Sequence, residues 1–500
     1  MHETEPGDRP ANVIGIDLGN AEVRLARFNE SGKPEITNNA EGWDVTPAVI
    51  MIDDDGNVRI GNEAKIFLGT GTANVFAEFR REMGTEKSWV VGSKIVTPVE
   101  LSALLLKKVV ADYADQFGQP QSIVITWPAY YRNEQREATR IAAARSGLKA
   151  VHFISEPAAA ALYYSTDTAL DGKYLVYDFG GGSLKVTLIE AYGYKITVLH
   201  QDAVQQLGEK DFDDALLKVI GVKFRAKTGD KFDFFDCNFD KLAIESNKHE
   251  LTTRSSVQIR LLSAKHGPVS IEISRHEFDA SISHLIAQAE MACEHVLRYG
   301  KEDQAHHVRK SEIKEVFMTG GISRIPAIQA SVARLFGKNP KVKNPTLAIA
   351  MGAAIYAAFK SSEGTLNTLQ ARAIAQVDVI DIAPHFYGLI HADWLTGETR
   401  NITIIPRGVR IPHARTIKVN ADHRGYLPRI CLTQSAIEES DPDFVTTIWE
   451  GELHRFAPYA ELDLVFSYDE HGTMCFSVTE VATGKYTKVD LRPSSDEHRS

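Results

Sequence analysis

The stretch YDFGGGSLKV, residues 177–186, places an aspartate and three consecutive glycines directly after a short apolar run. Three glycines in a row lose much backbone entropy on folding. Such a run is usually kept where the backbone closely approaches a ligand, although a flexible hairpin explains the same residues. The stretch therefore predicts a buried strand followed by a loop that can bind a phosphate group.

Two other stretches share this arrangement of apolar run, polar residue and glycine: GIDLGNAEV at 15–23 and MTGGISRIP at 318–326. A carboxylate at the end of a strand can hold metal-bound water while the glycine turn presents backbone N–H groups to a phosphate. Taken singly, the stretch at 15–23 is better explained by an ordinary turn, and the stretch at 318–326 is explained equally well by one. The chain thus contains three candidate phosphate-binding loops.

The periodicity of the chain changes near residue 360. Up to that point short apolar runs alternate with helical patterns, which is typical of an α/β domain. Beyond it short alternating runs are separated by turns, and residues 462–481 are the clearest β-hairpin. We predict an α/β nucleotide-binding domain, a linker, an all-β sandwich domain and a disordered tail, at residues 12–360, 361–381, 382–493 and 494–500 respectively.

Composition narrows the function classes. The 500 residues are 43% hydrophobic and carry a formal net charge of −10, which argues against a nucleic-acid or anionic-membrane binder. The four cysteines are dispersed, as expected of reduced thiols, and the first residues, MHETEPGDRPAN, lack the pattern of a signal peptide. No apolar run approaches the length of a membrane span. We expect a cytoplasmic protein that binds neither nucleic acid nor membrane.

Eight motifs occur in an order that resembles the DnaK-type, seventy-kilodalton heat-shock protein family. This resemblance implies an actin-like duplicated ATPase domain, followed by a β-sandwich that binds peptides; VDVIDIAPHFYGL at 377–389 is similar to the family's interdomain linker and first β strand. We expect the chain to lack the family's C-terminal helical lid, because the sequence stops just after the β region. The motifs are IDLG (16–19), ITWPAYYRNEQREAT (125–139), ISEPAAAAL (154–162), DFGGGS (178–183), GEKDFDDAL (208–216), AIESNKHEL (243–251), TGGISRIP (319–326) and NPTLAIAMGAAIYAA (344–358).

The resemblance implies a site for ATP or ADP with Mg²⁺. Asp17 and Asp178 would hold the water shell of the Mg²⁺ ion, and Glu156 would lie near the hydrolytic water. Glu245 and Lys248 match a pair that contacts the ribose, although a solvated helical salt bridge explains the same spacing. The remaining residues carried over by motif are Gly19, Asn20, Ala21, Arg80, Gly180, Gly181, Gly182, Ser183, Lys185, Gly208, His249, Gly320, Gly321 and Arg324.

Several of these positions depart from the family. Asn20 and Ala21 replace its paired threonines, and His249 replaces an arginine that stacks on adenine. Arg80 stands where the family has a catalytic lysine, and its fork-shaped guanidinium differs in geometry from an ammonium. Lys185 replaces an aspartate, so that a group which positions water is lost. We therefore expect nucleotide binding with slow or absent hydrolysis; the alternative is that Lys185 points to solvent and hydrolysis is ordinary.

The surface that the family uses for its J-domain co-chaperones also differs. His152 stands in place of an arginine, and a histidine is mostly uncharged at neutral pH. This places in doubt stimulation by a J-domain protein and, with it, the family's nucleotide-exchange factors as partners.

We interpret the chain as a nucleotide-regulated chaperone or co-chaperone that binds unfolded or extended peptides. A non-enzymatic scaffold, in which a locked nucleotide domain docks a dedicated partner, is the second interpretation. A sugar-kinase relative on the same fold is the third, since fold does not determine function.

Overall fold

The computed structural model describes residues 10–68, 74–193, 195–204, 207–237, 239, 241–299, 306–361, 365–375, 377–380, 382–392, 398–489 and 491. The chain divides into two compact units. The first comprises Met1–Tyr163, Gly193–Leu199 and Ile349–Ser500, and the second comprises Tyr164–Tyr192 and His200–Ala348. The predicted tail at 494–500 lies outside the described residues, as do five positions of the predicted linker: 362–364, 376 and 381.

The first unit opens with a mixed sheet of strand order β11-β10-β1-β2-β3, in which β4 also pairs with β2. Strands β1, β10 and β11 run parallel, whereas β2 is antiparallel to β1. The elements are β1 (Val13–Leu18), β2 (Glu22–Phe28), β3 (Pro34–Thr37), β4 (Thr46–Pro47), β5 (Val49–Ile52), β6 (Val58–Ile60), α1 (Asn62–Lys65), β7 (Val75–Ala77), β8 (Trp89–Val91), β9 (Lys94–Val96), α2 (Pro98–Phe117), β10 (Ser122–Trp127), α3 (Asn133–Arg145), β11 (Val151–Ser155) and α4 (Glu156–Ser165).

The second unit is built around β12, which pairs in parallel with β19 from Lys173↔Ile313 to Asp178↔Thr319. β13 lies on the other side of β12, and β15 and β16 form a separate hairpin. The elements are β12 (Leu170–Phe179), β13 (Leu184–Gly193), β14 (Lys195–Val204), α5 (Glu209–Thr228), α6 (Lys241–Thr253), β15 (Ser256–Ser263), β16 (Gly267–Ser274), α7 (Arg275–Ser281), α8 (Ser283–Val296), β17 (Arg298–Tyr299), β18 (His306–His307), β19 (Ile313–Thr319) and α9 (Pro326–Phe336).

The chain returns to the first unit within an alanine-rich helix and ends in a β-sandwich. The sandwich has two four-stranded sheets, of order β22-β21-β24-β25 and β23-β26-β27-β28, and the predicted hairpin at 462–481 is confirmed as β26–β27. The elements are α10 (Ala348–Phe359), α11 (Thr368–Ile374), β20 (Asp378–Ile380), β21 (Phe386–Ala392), β22 (Thr399–Ile405), β23 (His413–Asn420), β24 (Ile430–Ser435), β25 (Thr446–Gly451), β26 (Glu461–Tyr468), β27 (Met474–Glu480) and β28 (Tyr486–Val489).

The backbone of helix α10 is in direct contact with the backbones of α4 and β1 in the first unit. A Cβ atom added to Gly352 would lie 1.7 Å from the carbonyl oxygen of Ala159 in α4, and one added to Gly15 in β1 would lie 2.2 Å from the backbone nitrogen of Ala354. Only glycine permits such close approach of backbones. The alanines of the motif at 344–358 therefore serve close helix packing.

The predicted linker contains regular structure that its composition did not indicate. α11 starts at an Asn367 cap, and the buried Gln370 accepts a hydrogen bond from the backbone N–H of Ala11 and donates one to its carbonyl oxygen. β20 pairs in parallel with β14, from Lys195↔Asp378 to Thr197↔Ile380. Tertiary hydrogen bonds thus order this segment despite its small and polar residues.

The sandwich packs on helix α3 through the turn between β26 and β27. The backbone N–H of Met474 donates to Asn133 Oδ1 over 2.7 Å, and the Arg136 guanidinium donates to the carbonyl oxygen of His471. The neighbouring residue Glu470 forms a 2.8 Å ion pair with Lys360. The two hydrogen bonds join the start of α3 to the β-sandwich, and the ion pair joins the sandwich to the residue that follows α10.

His385, which directly precedes β21, is buried, and we expect it to make the first unit sensitive to acid. Burial, together with the charges of Arg136, Arg407 and Arg132, lowers the pKa of His385 to about 3. Because histidine titrates near pH 6.5 in an unfolded chain, its contribution to stability is complete above about pH 6.5 and is lost as the pH falls towards 3. We expect the free energy of unfolding to fall by up to ~1.4 kcal/mol per pH unit over this range from this residue alone.

Urea unfolding at a series of pH values from 7.5 to about 5 measures this slope. The matched variant is His385→Gln, which lacks the titrating group and should show a shallower pH dependence. Equal slopes for the two proteins would contradict the prediction.

Among the described residues, no helix combines the length and the apolarity needed to cross a membrane. Cys237, Cys293, Cys431 and Cys475 are all free thiols, and the first two are buried.

Candidate nucleotide site

Asp17 lies at the carboxyl end of β1, where the sheet places it beside β10. The register Ile16↔Ile125 brings the next residues of the two parallel strands together. Thr126 accordingly donates from its hydroxyl to Asp17 Oδ1 over 3.2 Å, and accepts from the backbone N–H of Leu18 over 3.3 Å. The carboxylate is thus held at the strand end, as the sequence predicts.

Gly19 forms the tight turn that follows. A Cβ atom at Gly19 would lie 2.5 Å from the carbonyl oxygen of Glu22, so the turn requires glycine. Asn20 and Ala21 occupy the turn itself, with Ala21 exposed. In the same unit Glu156 is almost fully buried and begins α4 directly after β11.

Arg80 is a charged residue that is buried inside the first unit. It lies in a 3-10 turn at Phe79–Glu82, and only 1% of its surface is exposed. Its Nε and Nη2 atoms have no hydrogen-bond partner among the described residues. Two buried guanidinium donors without partners are unfavourable, and an anionic group is one partner that could satisfy them.

In the second unit the glycine run forms a compact loop between β12 and β13. The backbone N–H of Gly180 donates to the carbonyl oxygen of Ser183 over 3.2 Å, and that of Glu209 donates to Gly181 over 3.0 Å. A Cβ atom on Gly208 would lie 2.5 Å from the carbonyl carbon of Gly182. The glycines therefore allow the loop that joins β12 to its sheet neighbour β13 to pack on the start of α5.

Asp178 is the penultimate residue of β12 and pairs with Thr319 at the end of β19. The Thr319 hydroxyl donates to Asp178 Oδ1 over 2.7 Å, and the Lys185 ammonium forms an ion pair with Oδ2 over 3.1 Å. Only 6% of the Asp178 side chain and 16% of the Lys185 side chain are exposed. The alternative that Lys185 points to solvent is therefore wrong, because its ammonium turns inward onto Asp178.

The glycine loop at 320–324 lies against the loop at 180–183. Gly320 has a φ of +83°, and a Cβ atom there would lie 2.0 Å from the carbonyl oxygen of Phe179. Gly321 and the exposed Arg324 belong to a 3-10 turn that leads into α9. The second unit thus brings together the loops at 180–183 and 320–324.

Lys248 does not form a solvated salt bridge on its own helix. It is 2% exposed, and its ammonium pairs with Glu209 over 2.8 Å and with Asp213 over 2.7 Å, both on α5. Burial raises the pKa of Asp213 above its ordinary value, although the Lys248 charge opposes this shift.

Glu209 and Glu245 approach the exposed His249, with one ligand atom from each residue within 4.8 Å of the others. Carboxylates and imidazole at this spacing could hold a metal ion. The Lys248 ammonium already donates to Glu209 Oε1, so one of these three ligands is paired with a cation of the chain itself. We interpret these three side chains as a polar patch formed by the start of α5 and by α6.

Sequence reasoning missed four residues that support the site: Thr126, Glu209, Asp213 and Thr319. Thr126 and Thr319 could be found only from the pairing of the strands. β10 lies parallel to β1 and β19 lies parallel to β12, and each brings a threonine beside the aspartate near the end of its neighbour. Glu209 and Asp213 lie in the quoted motif at 208–216, but nothing in the sequence pairs them with Lys248.

Known proteins with similar sequences belong to one family. The sequence matches the family described as "Hsp70 protein" over residues 13–427. It is 32% identical over 418 residues to "Chaperone protein DnaK" of Thermotoga neapolitana, covering 80% of this chain and 66% of that protein. It is 31% identical over 382 residues to the protein of the same name from Thermosipho africanus, covering 73% of this chain and 62% of that protein.

The chain therefore spans slightly less than two thirds of the length of these relatives. The expected fold class, an actin-like ATPase fold followed by an all-β sandwich, is confirmed by this match and by the mixed α/β elements described above. The chain belongs to the Hsp70 protein family.

Proposed function

We propose that this chain is a DnaK-like chaperone or co-chaperone that binds ATP or ADP and extended polypeptide, with slow hydrolysis. The observation that carries nucleotide binding is the buried Arg80 guanidinium, whose Nε and Nη2 atoms have no partner among the described residues. A phosphate would satisfy both donors, since arginine matches the geometry of phosphate oxygens.

Slow hydrolysis is supported by Lys185. An aspartate at this position would position water, whereas the ammonium donates to Asp178 and can accept no proton. The chain then lacks one water-positioning group, and the loss of one such group usually slows the chemical step by about a hundredfold or more.

Weak stimulation by J-domain proteins is also part of the proposal. His152 lies on β11 with its ring 6.5 Å from that of His471. Burial, aided by the charge of Lys360, lowers the pKa of His152, so the imidazole is uncharged at neutral pH. A neutral ring provides none of the positive charge that the family's arginine would present to an acidic partner.

Peptide binding is assigned to the β-sandwich. Strand β22 is at the edge of its sheet, where backbone groups can pair with an extended chain. Ile402 on this strand and Phe444 in a nearby turn are exposed apolar side chains. Cytoplasmic residence is proposed as well, in keeping with four free thiols.

Calorimetric titration with ATP and with ADP, followed by single-turnover hydrolysis, tests the proposal. We expect binding of both nucleotides and slow turnover that a J-domain protein barely accelerates. An Arg80→Met variant should weaken binding by at least about tenfold, while the exposed neighbour variant Arg81→Met should not. Turnover at the rate of an ordinary family member would contradict slow hydrolysis, and the absence of any nucleotide binding would favour the scaffold.

Fluorescence anisotropy of a labelled extended peptide tests the second part. We expect binding that ATP and ADP change to different extents. A peptide that fails to bind in every nucleotide condition would contradict the chaperone proposal.

A further inference from the structure

Both carboxylate oxygens of Asp178 are already in use within the second unit. Oδ1 accepts from the Thr319 hydroxyl and Oδ2 lies 3.1 Å from the Lys185 ammonium. The whole group is shielded, since Asp178 and Lys185 are both largely buried. The pair is therefore held by the fold and is not a loose surface contact.

This arrangement does not fit the Mg²⁺ ion that the family implies beside Asp178. Mg²⁺ keeps several of its waters, and carboxylates hold such an ion by accepting from those waters or by direct ligation. Here the chain's own donors already use one acceptor site on each carboxylate oxygen of Asp178, and one of these donors is a cation. A dication close to the Lys185 ammonium would also be repelled in a poorly solvated site.

We propose that the Lys185 ammonium takes the place of the divalent cation, so that the chain binds ATP without Mg²⁺. This inference rests on the proposed nucleotide binding. Lysine is an established phosphate ligand that acts as a compact positive charge. Lys185 lies three residues after Gly182, and thus directly beyond the glycine loop that would carry the phosphates.

The negative charges of the triphosphate and of Asp178 explain why the Lys185 ammonium can act in place of a metal ion. The triphosphate brings several negative charges towards Asp178, and without a cation they would repel the carboxylate. Lys185 neutralises that carboxylate before any ligand arrives. The site is therefore prepared for an anion at all concentrations of divalent metal.

Calorimetric titration of the full chain with ATP, in excess Mg²⁺ and in excess EDTA, tests the inference. We expect the two dissociation constants to agree within about threefold. Lys185→Asp restores a carboxylate, and for this variant EDTA should weaken ATP binding by more than about tenfold. Lys185→Arg retains the charge and should remain insensitive to EDTA.

The matched control is Lys218→Met, which removes an exposed lysine from α5 in the same unit. Circular dichroism shows whether each variant is folded, and Lys185→Arg keeps the test decisive if Lys185→Asp unfolds. A wild-type chain that binds ATP in Mg²⁺ but at least tenfold more weakly in EDTA overturns this inference and leaves the proposed function standing. A chain that binds ATP in neither condition overturns both.

Discussion

A Lys248→Met variant is expected to lose about 3 kcal/mol of unfolding free energy at neutral pH. Methionine preserves most of the aliphatic stem and removes only the ammonium, which pairs with Glu209 and Asp213. Removing one partner of a buried ion pair leaves charge without compensation. Because both carboxylates retain access to water, we place the loss at the lower end of the usual range.

Urea unfolding measures this loss. The difference between variant and wild type should narrow as the pH falls, because burial already raises the pKa of Asp213 and loss of Lys248 raises it further. A carboxyl with a raised pKa in the folded state destabilises above that pKa and ceases to do so when it is protonated.

A double variant sharpens the test. Lys248→Met combined with Asp213→Asn removes one of the two uncompensated carboxylate charges, and should recover part of the lost stability. The exposed Lys218→Met is the control and should change stability by less than about 0.5 kcal/mol. A Lys248→Met variant as stable as this control would show that the ion pairs contribute nothing.

The glycine loops illustrate what sequence could predict. An apolar run, a polar residue and glycine mark the ends of β1, β12 and β19, and the structure has strands and turns at all three places. Local patterns predict such features because backbone conformation at a turn depends on nearby residues. The same motifs place Asp17 near the end of β1 and Asp178 near the end of β12.

The partners of the charged residues could not be predicted in this way. Lys248 pairs with residues of α5 that precede it by more than 30 positions, and spacing on its own helix suggested Glu245 instead. Helix α11 was missed because its stability comes from Gln370 and its contacts with Ala11. Each error arises where tertiary contacts override local preference.

Arg136 presents the same lesson at the packing of the β-sandwich on α3. Within the motif at 125–139 it resembles any helical arginine, but it is 1% exposed. It donates to the carbonyl oxygens of Tyr131 and Ala129 over 3.1 and 3.0 Å, and to that of His471. Its guanidinium also lies 5.0 Å from the centre of the Trp127 ring.

An Arg136→Met variant is therefore expected to lose about 2–4 kcal/mol, since three buried carbonyl oxygens lose a charged donor. Methionine retains the apolar volume, so that the effect reports the lost hydrogen bonds and not a cavity. The loss should be localised. Hydrogen exchange of the segment 469–475 should accelerate, because the bond to His471 holds this turn on α3.

Arg140→Met is the matched control for this variant, because Arg140 lies one helical turn further along α3, is largely exposed, and pairs with Glu137 on the same helix. Its loss should leave exchange in the 469–475 turn unchanged. Gly472 provides an independent check: it has a φ of +70° and a Cβ atom there would meet the Arg136 guanidinium. Gly472→Ala should accelerate exchange of the same turn, because it displaces the guanidinium. If Arg136→Met and Gly472→Ala both left the turn protected, Asn133 and its bond to Met474 would have to hold the sandwich on α3 without Arg136.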